Sequence, residues 1–271
     1  RDYSERAMIA LDLRVLRPQP GASSSNAVLV CGAASDAEQH ELYLELCDSV
    51  RGSEQWIELS KSSCAGAARP LPLCVWQHPH TRQTNARAKP RLVLDWAHGL
   101  AQRTAASLRA AGEAAELAEA IDIAKYDSLV SLLYAEGATL PPHVDRGLPG
   151  AGLALSLGAS AAFDFGGARL ELHSGDALFA DFSRVRHAVL ATHPLASAPA
   201  WWRALPGGGG GGPAGGALAP LLDGVDVGLP QRLGLLLRFV ELGQGRAVGK
   251  GRLEALLDGA ARVQLARGSV V

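Results

Sequence analysis

Residues 152–182 read GLALSLGASAAFDFGGARLELHSGDALFADF, and this stretch decides the fold. Apolar residues recur at alternate positions, as in Leu153, Leu155 and Leu157, and Gly, Ser and Asp residues separate the runs. Alternation with a period of two is typical of β-strands that have one buried face. Several short strands divided by turns therefore predict a compact antiparallel structure, either a sandwich or a jelly roll.

The same pattern extends outward from this stretch. SLVSLLYA (128–135), RHAVLA (186–191) and QRLGLLLRFVEL (231–242) are further short apolar runs, and NAVLVCG (26–32) is another near the N-terminus. We predict a strand for each of them. GGGGGGPAGG (207–216) has the composition of a flexible loop.

Two segments of the N-terminal half have helical character. SDAEQHELYLELCDSV (35–50) predicts a helix with Ser35 as its N-cap. The alanine-rich stretch 96–120 predicts one or two helices with a break near Gly112. Between these segments, residues 59–94 are proline-rich, and we expect them to be irregular.

The composition limits the classes of function. The chain has 271 residues, of which 48% are hydrophobic and 20% charged, and its formal net charge is −1. One large domain, or one domain with a lid, suits this length. A generally basic surface is absent, so a nucleic-acid contact would need a local patch. No apolar run approaches the ~20 residues of a membrane span, and no obligate protein partner is evident.

The cysteines indicate the compartment. The four cysteines form no CxxC pair, which argues against a structural zinc site. We expect a reduced, intracellular environment, without distinguishing nucleus, cytoplasm and organelle. The sequence begins at Arg1 and contains no signal peptide, so we expect a trimmed fragment.

The stretch LPPHVDRGLPG (140–150) contains a candidate metal site. In a strand, residues two apart point to the same side, so His143 and Asp145 can present a nitrogen and an oxygen to one ion. By itself this spacing also suits an ordinary surface loop. His187 begins another predicted strand 44 residues later and completes a set of two histidines and one carboxylate. That set is the facial triad of non-heme Fe(II) oxygenases.

The last predicted strand carries two arginines on one face. Arg232 and Arg238 are six residues apart beside LGLLL. An arginine in an apolar strand is costly unless it is paired, and guanidinium binds carboxylate with two hydrogen bonds. If the co-substrate of the iron is the dicarboxylate 2-oxoglutarate, the carboxylate that does not bind the metal would need such an anchor. The alternative is that either arginine lies at a strand end in solvent.

An ordered set of motifs resembles the AlkB family of Fe(II)/2-oxoglutarate dioxygenases. The motifs are YAEGATLPPHVD, SLG, FDFGG, HSGD, FSRVRHAV and RLGLLLR, in that order. HVDR, HSGD and FSR…HAV look closest to the AlkB homologue 1 branch, as does the long insertion before the arginine strand. The resemblance covers residues 26–242 and is strongest over 128–191.

The resemblance implies roles for the candidate residues. His143, Asp145 and His187 would bind Fe(II), Arg232 would hold the distal carboxylate of 2-oxoglutarate, and Arg238 would lie near its iron-bound end. Tyr134, nine residues before His143, fits the family tyrosine that hydrogen-bonds the co-substrate. With O₂ as the third reactant, the family oxidatively demethylates N-methylated bases in DNA or RNA, including N6-methyladenine, and releases formaldehyde, succinate and CO₂.

The basic stretch 61–94 is where this family places its nucleotide-recognition lid. A base within a duplex must be flipped to reach such a site. Cations near the site could hold phosphates, and tryptophans could stack on a base. The candidate substrate residues are Trp56, Trp76, Arg82, Arg87, Lys89, Arg146 and Arg184. The simpler alternatives are core positions for the tryptophans, a solvated loop for the cations and an ion pair with Asp181 for Arg184.

Three positions depart from the family pattern. Leu132 and Gly234 stand where the family commonly has asparagines that contact the co-substrate, and Gly147 replaces an acidic residue that reads the base. These departures keep two alternatives open. One is a 2-oxoglutarate oxygenase acting on a protein side chain or on 5-methylcytosine. The other is a non-catalytic nucleic-acid-binding module with an AlkB-like barrel.

Together, the pattern and the resemblance predict an α+β protein with a double-stranded β-helix, or jelly-roll, core. We expect a poorly ordered extension over 1–25, flanking helices and the lid over 26–127, the catalytic core with its glycine-rich loop over 128–245, and a C-terminal helix or tail over 246–271.

Overall fold

Short antiparallel strands form the centre of the structure, which is a computed structural model describing residues 11–16, 27–51, 70–78, 83–145, 150–205 and 232–238. Eleven strands lie in this part of the chain. They are β1 (Asp12–Leu16), β2 (Ala27–Cys31), β3 (Leu71–Trp76), β4 (Ser128–Tyr134), β5 (Leu140–His143), β6 (Gly152–Gly158), β7 (Ala161–Phe165), β8 (Ala168–Leu172), β9 (Ala177–Ala180), β10 (His187–Thr192) and β11 (Arg232–Arg238).

The strands form two sheets. The larger has seven strands in the order β1-β2-β9-β6-β11-β4-β3, and the smaller has four in the order β5-β10-β7-β8. Every pairing is antiparallel, and strands distant in sequence become neighbours, as β11 does between β4 and β6. This double-sheet arrangement is the predicted jelly roll.

Helices lie between some of the strands in chain order. They are α1 (Asp36–Val50), α2 (Arg91–Ala111), α3 (Ala115–Asp122), a 3₁₀ turn (Leu195–Ser197) and α4 (Ala200–Arg203). Ser35 caps α1 as predicted, since its Oγ accepts from the Glu38 N–H while the Glu38 carboxylate accepts from the Ser35 N–H. Gly112 ends α2 with a φ of 68°, a left-handed conformation that glycine adopts readily.

The strand alternation divides the apolar residues between two cores. Leu153, Leu155 and Leu157 of β6 face the helices and pack in one cluster with Leu46 and Leu100. The intervening positions of β6 face the space between the sheets, where a second cluster includes Phe163, Phe165, Leu178 and Phe182. The inward positions of β11 and β6 therefore line the interior of the barrel.

The sequence patterns missed two strands. β1 lies within 1–25, where we expected little structure, and β3 lies within the stretch expected to be irregular. β1 is held by five residue pairs with β2, and its Leu13 and Val15 pack on the helix-side core. β3 is an edge strand that tolerates Pro72 and pairs with β4 around an irregularity. Both strands depend on pairing with distant residues, which local periodicity does not encode.

Some expectations lie outside the described residues. These are the glycine-rich loop 207–216 and the C-terminal stretch 246–271. Among the helices that the structure describes, none has the length and apolar character needed to cross a membrane.

Candidate metal and co-substrate site

Strand pairing in the smaller sheet brings the three candidate metal ligands together. His187 at the start of β10 lies directly opposite His143 at the end of β5. Asp145 follows β5 by two residues, and its backbone N–H donates to the carbonyl of Phe182 at 3.0 Å. Suitable ligand atoms of the three residues all lie within 4.8 Å of one another.

Backbone contacts turn both imidazole rings toward the carboxylate. His143 Nδ1 donates to the carbonyl of Pro141 at 2.7 Å, and His187 Nδ1 donates to that of Val185 at 3.1 Å. Because a carbonyl only accepts, each Nδ1 is the donor, and the neutral form of each ring then has its lone pair on Nε2. The two Nε2 atoms lie 3.5 and 3.8 Å from Asp145 Oδ1.

The electrostatics favour the metal-binding protonation states of His187 and Asp145. Burial, reinforced by the neighbouring His143, lowers the pKa of His187 to about 4, so its imidazole is neutral at pH 7. Burial opposes ionisation of Asp145, but the charge and hydrogen bond of Arg238, together with the neighbouring histidines, act in the opposite direction, and the pKa of Asp145 lies below its ordinary value. A neutral imidazole and an ionised carboxylate are donors that a divalent metal needs.

Arg238 occupies the metal end of the barrel interior. Its Nη2 donates to Asp145 Oδ2, which leaves Oδ1 facing the histidines. The guanidinium carbon lies 4.4 Å from the centroid of the Phe182 ring, and the side chain is 3% exposed. The role predicted for Arg238 beside the iron-bound end of the co-substrate stays a prediction.

Arg232 lies six residues along the same face of β11. Its Nη1 donates to Ser156 Oγ at 2.7 Å, and its guanidinium carbon lies 5.9 Å from the Tyr134 ring centroid. Tyr134 and Arg232 are directly paired across β4 and β11. Burial raises the pKa of Tyr134 to about 12, so the phenol stays protonated and remains a hydrogen-bond donor.

These residues fit a metal with a dicarboxylate. The 2-His-1-carboxylate set suits Fe(II). Among the described residues, Nε of Arg232 and both Nε and Nη1 of Arg238 are buried without a hydrogen-bond partner. Buried donors of this kind are costly unless an acceptor binds them. Gly234 lies between the two arginines on the same face, and a Cβ there would come 3.3 Å from Tyr134.

Two of the three departures from the family pattern meet in one place. Leu132 and Gly234 pair across β4 and β11, and Ser156 pairs with Gly234 from the other side. Ser156 is 1% exposed and contacts Arg232, so it supplies a hydroxyl beside the expected distal carboxylate. The SLG motif contains this serine, but only the strand register indicates its position.

The predicted substrate residues are more scattered. Trp76 is partly buried and packs against the helix-side core, which is the simpler of its two interpretations. Arg184 pairs with Asp181 at 3.3 Å and remains exposed. Arg87 and Lys89 are exposed on the segment that follows β3. Trp56, Arg82, Arg146 and Gly147 lie outside the described residues.

Another histidine, His173, lies outside the group of candidate metal ligands among the described residues. It lies in the HSGD turn, where its Nδ1 is 3.1 Å from Ser160 Oγ. Asp176 of the same turn accepts from the N–H groups of Gly32 and His173. This motif therefore joins the β8–β9 turn to the end of β2 and has a structural role.

Phe182 and Gly152 also lie at the site, although no sequence motif indicated either residue. The Phe182 ring lies edge-on to His187, with centroids 4.9 Å apart, and beneath Arg238. A Cβ at Gly152 would overlap the Arg238 guanidinium. No local signal distinguishes either residue, since both contacts arise from strand register.

Comparison with known proteins places the fold. No protein-family model and no curated protein matches the chain. Among solved structures, OsALKBH1 is 18% identical, has a TM-score of 0.57 and aligns over 83% of this chain and 100% of its own. A prolyl-4-hydroxylase from Pseudomonas putida is 12% identical, with a TM-score of 0.40 over 78% of this chain and 91% of its own.

A complex of NgTET1 with 5mC DNA is 9% identical, with a TM-score of 0.41 over 86% of this chain and 80% of its own. The fold assignment relies on OsALKBH1, whose match has the higher TM-score of the three. The chain therefore has the double-stranded β-helix fold of OsALKBH1, the fold that the resemblance to the AlkB family predicts.

Proposed function

We propose that this protein is an Fe(II)/2-oxoglutarate-dependent dioxygenase of the AlkB type that removes methyl groups from nitrogen atoms of DNA or RNA bases. The observation that carries the proposal is the interior of the barrel. His143, Asp145 and His187 converge there, and the buried arginines Arg232 and Arg238 stand beside them. The fold shared with OsALKBH1 supports the same assignment.

Bound Fe(II) would couple the oxidative decarboxylation of 2-oxoglutarate by O₂ to hydroxylation of a methyl group. One oxygen atom goes to succinate and the other to the substrate, and CO₂ leaves. The resulting N-hydroxymethyl group breaks its C–N bond, so the base regains N–H and formaldehyde departs.

The protein's own residues orient these reactants. The backbone carbonyls of Pro141 and Val185 fix the histidine rings, and Arg238 fixes the carboxylate of Asp145. Arg232, with Ser156 and Tyr134 beside it, offers charged and neutral donors to the distal carboxylate of the co-substrate. Positioning of this kind lowers the entropic part of the barrier.

The nucleic-acid substrate is supported by the course of the chain after β3. Trp76, at the end of β3, pairs with Leu129, which is next to the Ser128–Arg238 pair. The chain therefore leaves β3 at the end of the sheet where Arg238 contacts Asp145, and it returns as the Asn85 N–H donates to the carbonyl of Val75 and the Arg87 N–H to that of Ser49 at the end of α1. Exposed cations on the returning segment would bind the phosphates that flank a flipped base.

Turnover on methylated oligonucleotides tests the proposal. The protein would be incubated with Fe(II), 2-oxoglutarate and a panel of single- and double-stranded DNA and RNA, each with one methylated base including N6-methyladenine. We expect stoichiometric succinate and formaldehyde with at least one substrate, and none with Asp145→Ala. No formaldehyde from any oligonucleotide, with metal still bound, would contradict the nucleic-acid assignment and favour a protein substrate or a binding role.

Charge reversal tests the lid. Arg82→Glu, Arg87→Glu and Lys89→Glu together should weaken oligonucleotide binding and reduce its dependence on salt. The matched control is Arg109→Glu. Arg109 is an exposed arginine on α2, and it lies about 27 Å along the helix axis from Arg91. Equal affinity of the triple variant and the control would contradict a phosphate-binding role for this segment.

A further inference from the structure

The guanidinium of Arg238 is confined between two residues that no sequence motif assigned. We propose that Gly152 and Phe182 form a clamp that fixes Arg238 and, through it, the metal-facing oxygen of Asp145. The inference rests on the proposed metal site. It makes Gly152 and Phe182 positioning residues, since neither offers a ligand atom to the metal.

Gly152 provides one side of the clamp. It stands at the start of β6, next to the end of β11, and its backbone adopts an ordinary conformation with no positive φ. Backbone geometry therefore does not require glycine here. The lack of room for a side chain does require it, because a Cβ would overlap Nη1 and Cζ of Arg238 and lie 3.1 Å from Phe182 Cδ2.

Phe182 provides the other side. Its ring face lies beneath the guanidinium, 4.4 Å from Cζ, which is a favourable cation–π arrangement. Its ring also meets His187 edge-on and Phe165 at an interplanar angle of 83°. The side chain is 1% exposed, so the surrounding core fixes its position.

Both ends of Asp145 depend on this clamp. Arg238 holds Oδ2 of the side chain, and the Phe182 carbonyl accepts from the Asp145 backbone N–H. With these two contacts fixed, Oδ1 faces the Nε2 atoms of both histidines. If the guanidinium moved, the buried carboxylate would lose its charge partner and could rotate away from the ligand position.

Binding of Co(II), followed by its visible absorption in the absence of any substrate, tests the clamp. Gly152→Ala should weaken Co(II) affinity about 10–100-fold, the effect typical of residues that orient metal ligands. The matched control is Gly234→Ala, which adds the same methyl group on the adjacent strand. Its Cβ meets Tyr134 at 3.3 Å rather than Arg238, so Co(II) affinity should stay within a few-fold of wild type.

A double-mutant cycle separates a clamp from general disruption of the fold. If Gly152 acts through Arg238, Gly152→Ala should cost little further Co(II) affinity once Arg238 is replaced by alanine. An equal loss in both backgrounds would overturn the proposal, as would wild-type affinity in Gly152→Ala itself. The cycle remains informative if Gly152→Ala is less stable, because a purely structural defect would persist without Arg238.

Phe182→Leu tests the second half of the clamp. Leucine retains apolar bulk but lacks the ring face, so Co(II) affinity should fall and the absorption bands should shift as Asp145 loses its orientation. An unchanged spectrum and affinity would remove Phe182 from the clamp. If the wild-type protein bound no Co(II), the proposed function itself would fail; binding that is insensitive to these variants would overturn the clamp alone.

Discussion

At the scale of single residues, the two sheets contribute different parts of the site. The smaller sheet supplies His143 and His187 at adjacent strand positions, and the larger sheet supplies Arg232 and Arg238 from β11. The proposed metal ligands therefore come from one wall of the barrel and the proposed co-substrate anchors from the other. Arg238 links the two sets through Asp145, whereas Arg232 donates to Ser156 instead.

Arg232→Lys should weaken co-substrate binding while sparing the metal. Lysine keeps the charge but lacks the planar fork that binds a carboxylate with two hydrogen bonds. A charge-assisted hydrogen bond contributes about 1.5–3 kcal/mol, so the KM for 2-oxoglutarate should rise about 10–100-fold. Succinate formation measures KM, and a parallel Co(II) titration should give wild-type affinity.

The control for this variant is Arg109→Lys, which changes an exposed arginine paired with Asp122 on the helix side. It should leave both quantities unchanged. An unaltered KM in Arg232→Lys would mean that the distal carboxylate binds elsewhere.

His98 should make stability depend on pH. Its Nε2 accepts from the Tyr126 backbone N–H at 2.8 Å. Burial lowers the pKa of His98 below the ordinary 6.5. The charge of Lys89 acts in the same direction, and the charges of Asp95 and Asp127 act against it. A lowered pKa means that the folded state resists protonation. The stabilising contribution is therefore complete above pH 6.5 and is lost as the pH falls through the lowered value.

Thermal unfolding between pH 7.5 and 5 should show this loss, and His98→Gln, which keeps an acceptor without titrating, should reduce it. His187 has a lowered pKa of the same sign, so the variant's curve should flatten in part rather than fully. Identical slopes for the variant and wild type would exclude His98 as a source of the pH dependence.

The site shows where residue-level prediction succeeds. His143, Asp145 and His187 could be identified because metal ligands have a restricted chemistry and two of them share a strand face. Gly152, Ser156 and Phe182 could not, because glycine, serine and phenylalanine are common in strands. Their roles follow from which atoms the register of β6, β9 and β11 places side by side.

At the scale of elements, local signals identified most helices and strands and missed those held by distant contacts. The capping box at Ser35 and the break at Gly112 are encoded within a few residues. The start of α2 is not: we expected residue 96, and the helix begins at Arg91. Its N-terminus has no side-chain cap of its own, which explains the error.

A carboxylate from another helix caps α2 instead. The two oxygens of Glu45 on α1 accept from the N–H groups of Leu92 and Val93, each at 2.8 Å. Glu45→Ala would leave these donors without a partner at a helix end, which typically costs about 1–2 kcal/mol. Urea denaturation should show a drop of this size in the free energy of unfolding.

Glu45→Gln separates the hydrogen-bonding role of Glu45 from its charge. Burial raises the pKa of Glu45, with the backbone hydrogen bonds only partly offsetting it, so the charge itself is unfavourable there. Glutamine keeps one acceptor without that charge, and its loss should be smaller than that of alanine. Equal losses in the two variants would mean that apolar packing, rather than capping, sets the contribution of Glu45.

At the scale of the whole molecule, the site connects the two halves of the barrel. A bound metal would be held by the smaller sheet, and a dicarboxylate that chelates the metal would extend to the arginines of the larger one. A ligand that binds only the folded state stabilises it by about 2.7 kcal/mol at a hundred times its Kd. Loading the site should therefore stabilise the entire fold.

Thermal unfolding with Co(II) and 2-oxoglutarate, each at about a hundred times its Kd, tests this coupling. For a domain of this size, each ligand should raise Tm by about 5–10 °C. 2-Oxoglutarate should add its increment mainly when the metal is present, because one of its carboxylates would bind through the metal. Asp145→Ala should abolish both increments, and Arg232→Lys should reduce only the second. An equal increment from 2-oxoglutarate without metal would show that the two ligands bind independently and that the barrel does not couple them.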